Sequence, residues 1–220
     1  MKNIQIKNLY NLDHTIAKTY LKKYTYPWEV LKEITNIIIS IGEKLDKKEY
    51  NNPSENVWIH KTAIVYDTAY INGPCIIGKN AEIRHCAFIR GNAIIGNNCV
   101  VGNSTELKNV ILFDNVQVPH YNYVGDSILG YKAHMGAGSI TSNIKSDKTN
   151  VVIKYNDTKI ETNMKKVGAM LADGVEIGCN SVLNPGTIIC KNTNVYPLSS
   201  VRGVIPQNCI VKQNEIVEKQ

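Results

Sequence analysis

Six side chains that could take part in catalysis or ligand binding lie between positions 90 and 126 of this sequence of 220 residues. They are Arg90, Glu106, Lys108, His120, Tyr123 and Asp126. An imidazole can accept a proton near neutral pH, and a neighbouring carboxylate can fix its tautomer and raise its basicity. Arginine and lysine are well suited to binding phosphate groups. The set therefore suits proton transfer beside a phosphorylated ligand, although an isolated histidine is more often an ordinary surface residue.

The elements that would position these side chains follow from a six-residue repeat. Every sixth residue between positions 59 and 113 is apolar: Ile59, Val65, Ile71, Ile77, Ile83, Ile89, Ile95, Val101, Leu107 and Phe113. The residue two positions before each is small from Ala63 to Thr105, and the frame returns between Leu171 and Val201. A period of six fits neither an amphipathic helix nor an alternating strand. It predicts a solenoid of short strands and turns, with the aliphatic and small residues pointing inward.

The repeat is interrupted in two places. Residues 117–134 put Pro119 where an aliphatic residue is due, and the frame resumes shifted at Leu129 and Met135. A functional site is expected at this interruption, which contains His120. Residues 141–166 have no hexapeptide pattern, so we expect them to leave the coil as a long loop, and such loops are usually either functional or disordered.

The first fifty residues follow a different pattern. After Pro27, apolar residues recur at helical spacing to Leu45, which predicts a helix that ends before Pro53. Because the end of a solenoid needs a cap, this helix is expected to cover the open end of the first coil. The predicted parts are an N-terminal helical segment of residues 1–52, a mainly β solenoid of residues 53–206 with the loop 141–166 extruded, and a C-terminal tail of residues 207–220.

Composition excludes several classes of protein. The formal net charge is +6, and its excess lies in residues 1–50 and in the lysine-rich residues 145–166. Without a continuous basic stripe or interleaved aromatics, this is not a nucleic-acid-binding pattern, but it suits small anions such as phosphates. No apolar run is long enough to span a membrane and no secretory signal opens the chain, so a cytoplasmic protein is expected. The six scattered cysteines are expected to be free core thiols.

Three stretches of the sequence resemble one protein family. They are V-G-N-S-T-E-L-K at 101–108, P-H-Y-N-Y-V-G-D at 119–126 and M-G-A-G-S-I-T-S-N at 135–143. They are similar to the acetyltransferase domain of the bifunctional N-acetylglucosamine-1-phosphate uridyltransferase/glucosamine-1-phosphate acetyltransferase family. Y-P-W-E-V-L at 26–31 also resembles the linker helix of related sugar-phosphate nucleotidyltransferases. The resemblance implies a left-handed parallel β-helix of three hexapeptides per coil, assembled as a homotrimer with sites shared between chains.

The resemblance also implies an activity. It is CoA-dependent N-acetyl transfer to an amino-sugar phosphate, or to a nucleotide-linked amino sugar, with glucosamine 1-phosphate as the model acceptor. His120 would be the general base and Glu106 the acid that orients it, while Arg90 and Lys108 would hold the sugar phosphate. No metal ion and no covalent intermediate is required for direct transfer.

Further contacts are implied by position within the same motifs. Tyr123 and Asn143 would contact the sugar. Acetyl-CoA, the co-substrate, would be contacted by Ala137, Cys179, Pro197 and Arg202.

Four positions depart from the family's pattern. The tyrosine expected after Asn143 is Ile144, and an asparagine contact falls on His134. A serine near acetyl-CoA is Cys179, and a small alanine is Pro197. These changes leave open a catalytically silent, sugar-phosphate-binding β-helix trimer. The Gly-rich loop of the family's nucleotidyltransferase half has no counterpart, so no nucleotidyltransferase active site is expected in this chain.

A third hypothesis is a β-helix metalloenzyme of the carbonic anhydrase kind. It would need three histidines at a shared subunit edge, two of them close in sequence. His85 and His120 have a suitable separation, but no third histidine closely follows His120, and His134 is far from it in sequence.

Overall fold

The structure, a computed structural model, describes residues 2–213 and 215–219. The predicted N-terminal segment and C-terminal tail include Met1, Asn214 and Gln220, which lie outside the described residues. The chain opens with short helices: the 3-10 helices Lys2–Ile4, Leu12–His14 and Pro27–Lys32, and the α-helices α1 (Ile6–Leu9), α2 (Lys18–Leu21) and α3 (Ile34–Gly42). No described helix is long and apolar enough to span a membrane.

Short strands follow the helices in chain order. The first are β1 (Tyr50–Ser54), β2 (Val57–His60), β3 (Ile64–Val65), β4 (Tyr70–Ile71), β5 (Cys75–Ile77), β6 (Glu82–Ile83), β7 (Phe88–Ile89), β8 (Ala93–Ile95), β9 (Val100–Asn103), β10 (Glu106–Leu112), β11 (Gln117–His120) and β12 (Tyr123–Leu129). The others are β13 (His134–Met135), β14 (Ile140–Thr141), β15 (Val152–Tyr155), β16 (Thr158–Glu161), β17 (Ala169–Leu171), β18 (Glu176–Ile177), β19 (Val182–Leu183), β20 (Thr187–Ile189), β21 (Asn194–Val195), β22 (Ser200–Val201), β23 (Val204–Ile205), β24 (Cys209–Lys212) and β25 (Glu215–Glu218).

Parallel pairing of these strands builds a left-handed β-helix with three faces, so the predicted fold class is confirmed. The first face stacks β2, β5, β8, the second halves of β10 and β12, β17, β20 and β23. The second face stacks β3, β6, β9, β11, β13, β18, β21 and β24. The third face stacks β4, β7, the first halves of β10 and β12, β14, β19 and β22.

The interior of the coil follows the hexapeptide pattern. Ile77, Ile83 and Ile89 are fully buried, and the small residues Ala81 and Ala87 lie inside the corners. Many corners use a left-handed backbone conformation that asparagine tolerates better than most residues. Asn80, Asn92, Asn98, Asn115, Asn180, Asn192 and Asn208 all have φ between 52° and 62° at such corners. The repeat therefore specifies both the packed interior and the bends.

The predicted break at 117–134 is a shift of the six-residue frame, and the coil continues through it. Cα partners lie 18 residues apart in the first coils, but Leu112 pairs with Ile95 and Leu129 pairs with Leu112, a spacing of 17. Each of these two coils is one residue shorter than the first coils, and the shortening lies at the corner where β10 or β12 bends. Val118 therefore takes the interior position that the six-residue frame gave to Pro119.

The predicted cap over the first coil is also wrong. Residues 2–49, which we name the N-terminal strap, lie along the first face. That face presents an outward apolar column that needs cover: Ile76, Ile94, Ile111, Ile128, Met170 and Ile188. The phenol of Tyr10 donates to Ile128 O at 3.4 Å, and its ring lies 5.1 Å from that of Phe113. In the first coil, the interior residues Ile59, Val65 and Ile71 remain half-exposed.

The long loop and the tail are both more ordered than predicted. Residues 142–168 do leave the coil, but β15 and β16 pair as an antiparallel hairpin whose Val151 and Ile153 are buried. Gly186 makes room for them, because a Cβ there would lie 2.7 Å from Val151 and 2.9 Å from Ile153. In the predicted tail, β24 adds another strand to the second face and β25 turns back along it.

All six cysteines are free, as predicted. Four are buried, at Cys75, Cys99, Cys190 and Cys209. Burial raises the pKa of the Cys75 and Cys99 thiols to about 12. The expectation of core thiols is wrong for Cys86 and Cys179, which lie exposed at corners.

Candidate functional site

The candidate site extends across the third face and the two corners that bound it. We name the corner between the second and third faces the His120 corner, formed by residues 119–122 and their equivalents in other coils. We name the corner between the third and first faces the Lys108 corner, formed by Arg90, Lys108, Asp126 and their equivalents. The outward column of the face between them contains Tyr70, Phe88, Glu106, Tyr123, Ile140, Val182 and Ser200.

Asp126 organises the Lys108 corner. Its side chain is only 5% exposed and accepts hydrogen bonds from Asn109 Nδ2 at 2.8 Å and Asn143 Nδ2 at 2.6 Å. Lys108 Nζ lies 3.3 Å from the same carboxylate. Asp126 and Asn109 both have a left-handed φ, at 49° and 56°, where β12 and β10 bend. The shortened corners thus place a carboxylate that holds Lys108 and Asn143.

Arg90 lies next to Lys108 along the corner. Its Nη1 donates to Glu106 Oε1 at 2.7 Å, and this bond raises the pKa of the guanidinium above its usual value. The Arg90 side chain is 45% exposed, so its remaining donors face solvent. Arg90 and Lys108 therefore provide two adjacent cations, each already held by one carboxylate.

Tyr123 lies beside this cluster. Asn143 Nδ2 donates to its phenolic oxygen at 3.1 Å. Burial, and then the charge of Asp126, raise the pKa of Tyr123 above its usual value, so the phenol stays neutral at physiological pH. A Cβ at Gly125 would lie 2.5 Å from that oxygen, so only glycine leaves room for the ring. The structure thus brings together Tyr123 and Asn143, the two predicted sugar contacts.

His120 lies at the other edge of the third face. Its side chain is exposed, and its backbone N–H donates to Asn122 Oδ1 at 3.1 Å. Glu106 pairs with Arg90, and no hydrogen bond joins Glu106 to the imidazole of His120 within the described ranges. The predicted orienting contact between Glu106 and His120 is therefore not formed in this single chain.

Asn122 fixes the backbone around His120. Its side chain is 2% exposed and donates to Gly136 O at 2.9 Å and Ser139 O at 3.0 Å in the next coil. Its own backbone N–H donates to Thr105 Oγ1 at 3.3 Å in the preceding coil. This role of Asn122, like that of Asp126, was not predicted from the sequence, although both residues lie inside the motif at 119–126.

Three of the predicted acetyl-CoA contacts continue the His120 corner. Backbone hydrogen bonds join Gly138 N to His120 O, Asn180 N to Ala137 O and Leu198 N to Cys179 O, at 2.8 to 3.0 Å. His120, Ala137, Cys179 and Pro197 therefore occupy equivalent positions in successive coils, and we name them the His120 column. With about 4.8 Å between stacked strands, the column is about 14 Å long. Its length suits an extended ligand.

Arg202 lies apart from this column. Its equivalents in other coils are Arg90 and Lys108, and its Nη2 donates to Asn184 Oδ1 at 3.1 Å. The structure therefore separates the four predicted acetyl-CoA contacts between the two edges of the third face.

The remaining singled-out residues lie around this site. His134 is on the second face, where its Nδ1 lies 2.8 Å from Glu176 Oε2. Ile144 is 42% exposed and forms a backbone bridge to Lys166 at the base of the hairpin. His85 shares the His120 corner two coils earlier and contacts Thr68 Oγ1 at 2.9 Å. Across the residues that the structure describes, no group of three His, Cys, Asp or Glu side chains could hold a metal ion.

Sequence comparison relates the chain to one group of proteins. A family profile described as the GMPPB C-terminal domain matches residues 71–164. A bifunctional protein GlmU of Methanococcus maripaludis strain C5 is 32% identical over 98% of this chain and 52% of its own length. The chain is a relative of the C-terminal acetyltransferase domain of GlmU-like proteins. This confirms the resemblance seen in the motifs.

The chain is also similar to a second relative and to a solved structure. A bifunctional sugar-1-phosphate nucleotidylyltransferase/acetyltransferase of Sulfurisphaera tokodaii is 30% identical over 43% of this chain and 23% of its own length. A solved variant of AntD, an N-acyltransferase from Bacillus cereus in complex with dTDP and coenzyme A, is 19% identical, with 78% of this chain and 91% of AntD covered and a TM-score of 0.38. The chain spans about half the length of the GlmU relative that it matches throughout.

Proposed function

We propose that this chain is a CoA-dependent N-acetyltransferase that acts on an amino-sugar phosphate or a nucleotide-linked amino sugar. The observation that carries the proposal is the arrangement of the third face. A solvent-accessible imidazole lies at one edge, and two adjacent cations lie at the other beside Tyr123 and Asn143. The relative named as a bifunctional sugar-1-phosphate nucleotidylyltransferase/acetyltransferase supports the same chemistry.

His120 would act as the general base. As the amino nitrogen attacks the thioester carbon of acetyl-CoA, a C–N bond forms and the amine proton passes to the neutral imidazole. The C–S bond then breaks, and the proton can pass from the imidazolium to the departing thiolate. The histidine is restored neutral, and the products are the N-acetylated sugar and CoA. Ala137, Cys179 and Pro197 would bind acetyl-CoA along the His120 column.

The acceptor phosphate would bind at the Lys108 corner. Arg90 still has free donors for bidentate contact with phosphate, and Lys108 adds a point charge. Asn143 and Tyr123 would contact the sugar ring between the phosphate and the base. Glu106 would then be free to orient His120 once the phosphate competes for Arg90.

Assembly as a homotrimer is part of the proposal. The third face and His120 corner expose large apolar side chains, with Tyr70 at 62%, Tyr121 at 61% and Leu198 at 79% exposure. Contact with a second copy would cover them and add groups to the site from its own edge. Light scattering should give three times the chain mass of 24.6 kDa, and a monomer that transfers acetyl groups would contradict the shared site.

The test is thiol release from acetyl-CoA with a panel of amino-sugar phosphates and nucleotide-linked amino sugars. One acceptor should release CoA, and release should survive a metal chelator. His120→Ala should lower kcat by about 100-fold or more, since general-base contributions are about 10² to 10⁴. His85→Ala is the matched control, because it removes a histidine from the same corner two coils away. Unchanged turnover in His120→Ala would overturn the assignment of the base.

A second candidate function is a catalytically silent sugar-phosphate-binding protein. The observation that favours it is that Glu106 pairs with Arg90 and not with His120. Calorimetric binding of an amino-sugar phosphate, with no thiol release from any acceptor, would establish this function instead.

A further inference from the structure

A second concentration of positive charge lies where the hairpin packs against the last coils. Here a cavity of about 290 Å³, which we name the hairpin cleft, opens between β15, β16 and the Lys108 corner. Its charged lining is Lys145, Lys154, Lys159, Glu161 and Arg202, above an apolar floor that includes Val151. Four cations face one carboxylate.

The hairpin carries an arrangement that normally costs stability. Lys154 and Lys159 are directly opposite each other in the antiparallel register, and both are exposed. Like charges at directly opposed positions destabilise a strand pair. A bound anion would remove that repulsion.

Three of the cations have no acidic partner. Lys145 pairs with Asp147 at 3.2 Å, but Lys154, Lys159 and Arg202 form no ion pair within residues 2–213 and 215–219. Arg202 is instead oriented by the neutral amide of Asn184, at 3.1 Å. Their charge is therefore available to a ligand.

The cleft is distinct from the corner at Arg90 and Lys108. Arg202 stands four coils beyond Lys108, a separation of about 19 Å at the strand spacing. It occupies the same coil as Pro197, the far end of the His120 column. A ligand with its thioester at His120 and its body along that column would carry its other end to this level of the solenoid.

We propose that the hairpin cleft binds the phosphate groups of a nucleotide-type ligand through Lys154, Lys159 and Arg202. Its volume suits a diphosphate or a terminal phosphate better than a whole nucleotide. The phosphates can come from acyl-CoA or from a free nucleotide, and assigning them to acyl-CoA rests on the proposed function. The anion site itself does not.

Calorimetry on the full chain with pyrophosphate tests the site. We expect pyrophosphate to bind, and the double variant Lys154→Gln/Lys159→Gln to weaken binding at least about tenfold because two charge-assisted contacts are lost. Lys148→Gln/Lys165→Gln is the matched control, since it removes two exposed lysines of the same segment outside the cleft. No binding by the wild type, or equal binding by the cleft variant, would overturn the proposal.

Two further arms identify the source of the phosphates. Tighter binding of CoA than of dephospho-CoA, lost in the cleft variant, would assign the site to the 3′-phosphate of CoA. Binding of ADP or UDP without preference for CoA, equally lost in the variant, would assign it to a free nucleotide. Because removing opposed lysines relieves repulsion, the variant should unfold no earlier than the wild type, which keeps a loss of binding interpretable.

The same experiment separates failure of the cleft from failure of the proposed function. Pyrophosphate binding that depends on the cleft, without thiol release from any acceptor, would leave the cleft standing and remove the transferase. Acetyl transfer with an unchanged KM for acetyl-CoA in the cleft variant, together with unchanged pyrophosphate binding, would support the transferase and remove the cleft as an anion site.

Discussion

At the scale of single residues, the exposed groups of the site depend on buried polar ones. Asp126 holds Lys108 and Asn143, and Asn122 holds the backbone of His120. Sequence motifs pointed to the exposed residues because their chemistry is recognisable. The buried pair could not be assigned in the same way, since the partners of Asn122 lie 14 and 17 residues away and depend on the stacking of the coils.

Asn122→Ala should destabilise the protein by about 2 to 3 kcal/mol. The substitution leaves the buried carbonyl of Ser139 without its donor and the N–H of His120 without its acceptor, while Gly136 O keeps the N–H and hydroxyl of Ser139 as donors. An unsatisfied buried group costs about 1 to 3 kcal/mol. Denaturant unfolding measures the loss. Asn103→Ala, on the same corner but more exposed, should stay within about 0.5 kcal/mol of the wild type, and equal effects of the two changes would contradict the role of Asn122.

Arg90→Ala should raise the KM for a phosphorylated acceptor about tenfold or more, with kcat changed much less. The reason is that the guanidinium would contact the phosphate and not the reacting nitrogen. Steady-state kinetics give the two constants. Arg84→Ala is the control, because Arg84 likewise pairs with a carboxylate, Glu82, at 3.0 Å but lies at the His120 corner two coils before Pro119, across the third face from Arg90. A loss of kcat alone in Arg90→Ala would refute phosphate binding by this residue.

Alkylation of the native protein at pH 8 should modify Cys86 and Cys179 and spare Cys75 and Cys99. Burial raises the pKa of the latter two thiols to about 12, so almost none of their reactive thiolate is present at pH 8. Mass spectrometry of the labelled protein shows which sites react. Acetyl-CoA should slow labelling of Cys179 and leave Cys86 unaffected, and equal protection of both would argue against a co-substrate along the His120 column.

At the scale of elements, the hexapeptide pattern predicted the coil but misplaced its corners. A strict period of six assigns the interior positions to Phe113 and Pro119, but Leu112 and Val118 take these positions in the structure. The reason is that Asn109 and Asp126 make a tighter left-handed bend, which removes one residue from each coil. A pattern of residue types shows which residues are apolar, but a change of one residue in coil length appears only in the pairing of strands.

Gly42→Ala at the end of α3 should destabilise the protein by about 1 to 2 kcal/mol. A Cβ there would lie 2.4 Å from the ring of Trp58, and overpacking typically costs about 1 to 3 kcal/mol. The gain in helix propensity, about 1 kcal/mol, offsets only part of this cost. Thermal unfolding measures the balance. Ser40→Ala, in the same helix, should be neutral or slightly stabilising, and a stabilised Gly42→Ala would show that the ring moves freely.

At the scale of the whole molecule, the fold class was predictable and the arrangement around it was not. The six-residue period is local, so the sequence alone contains it. The course of the N-terminal strap is not local. The apolar positions of its helices predicted that the strap buries one surface. The outward apolar column that the strap covers, which includes Ile94, Ile128 and Met170, forms only when the coils are stacked.

The N-terminal strap runs antiparallel to the order of the coils, because its first residues contact late coils and its last residues contact early coils. Asn11 N donates at 2.7 Å to Oδ2 of Asp173, which follows the hairpin in the chain. His14 O accepts from Asp114 N at 2.9 Å. Thr35 Oγ1 donates to Asn92 Oδ1 at 2.8 Å. In most solenoids each coil contacts only its neighbours, so one end can melt while the other persists. A segment that touches early and late coils at once removes that independence. Hydrogen exchange along the first face should therefore report one shared opening event, from Ile76 to Met170, in place of a gradient of fraying from either end.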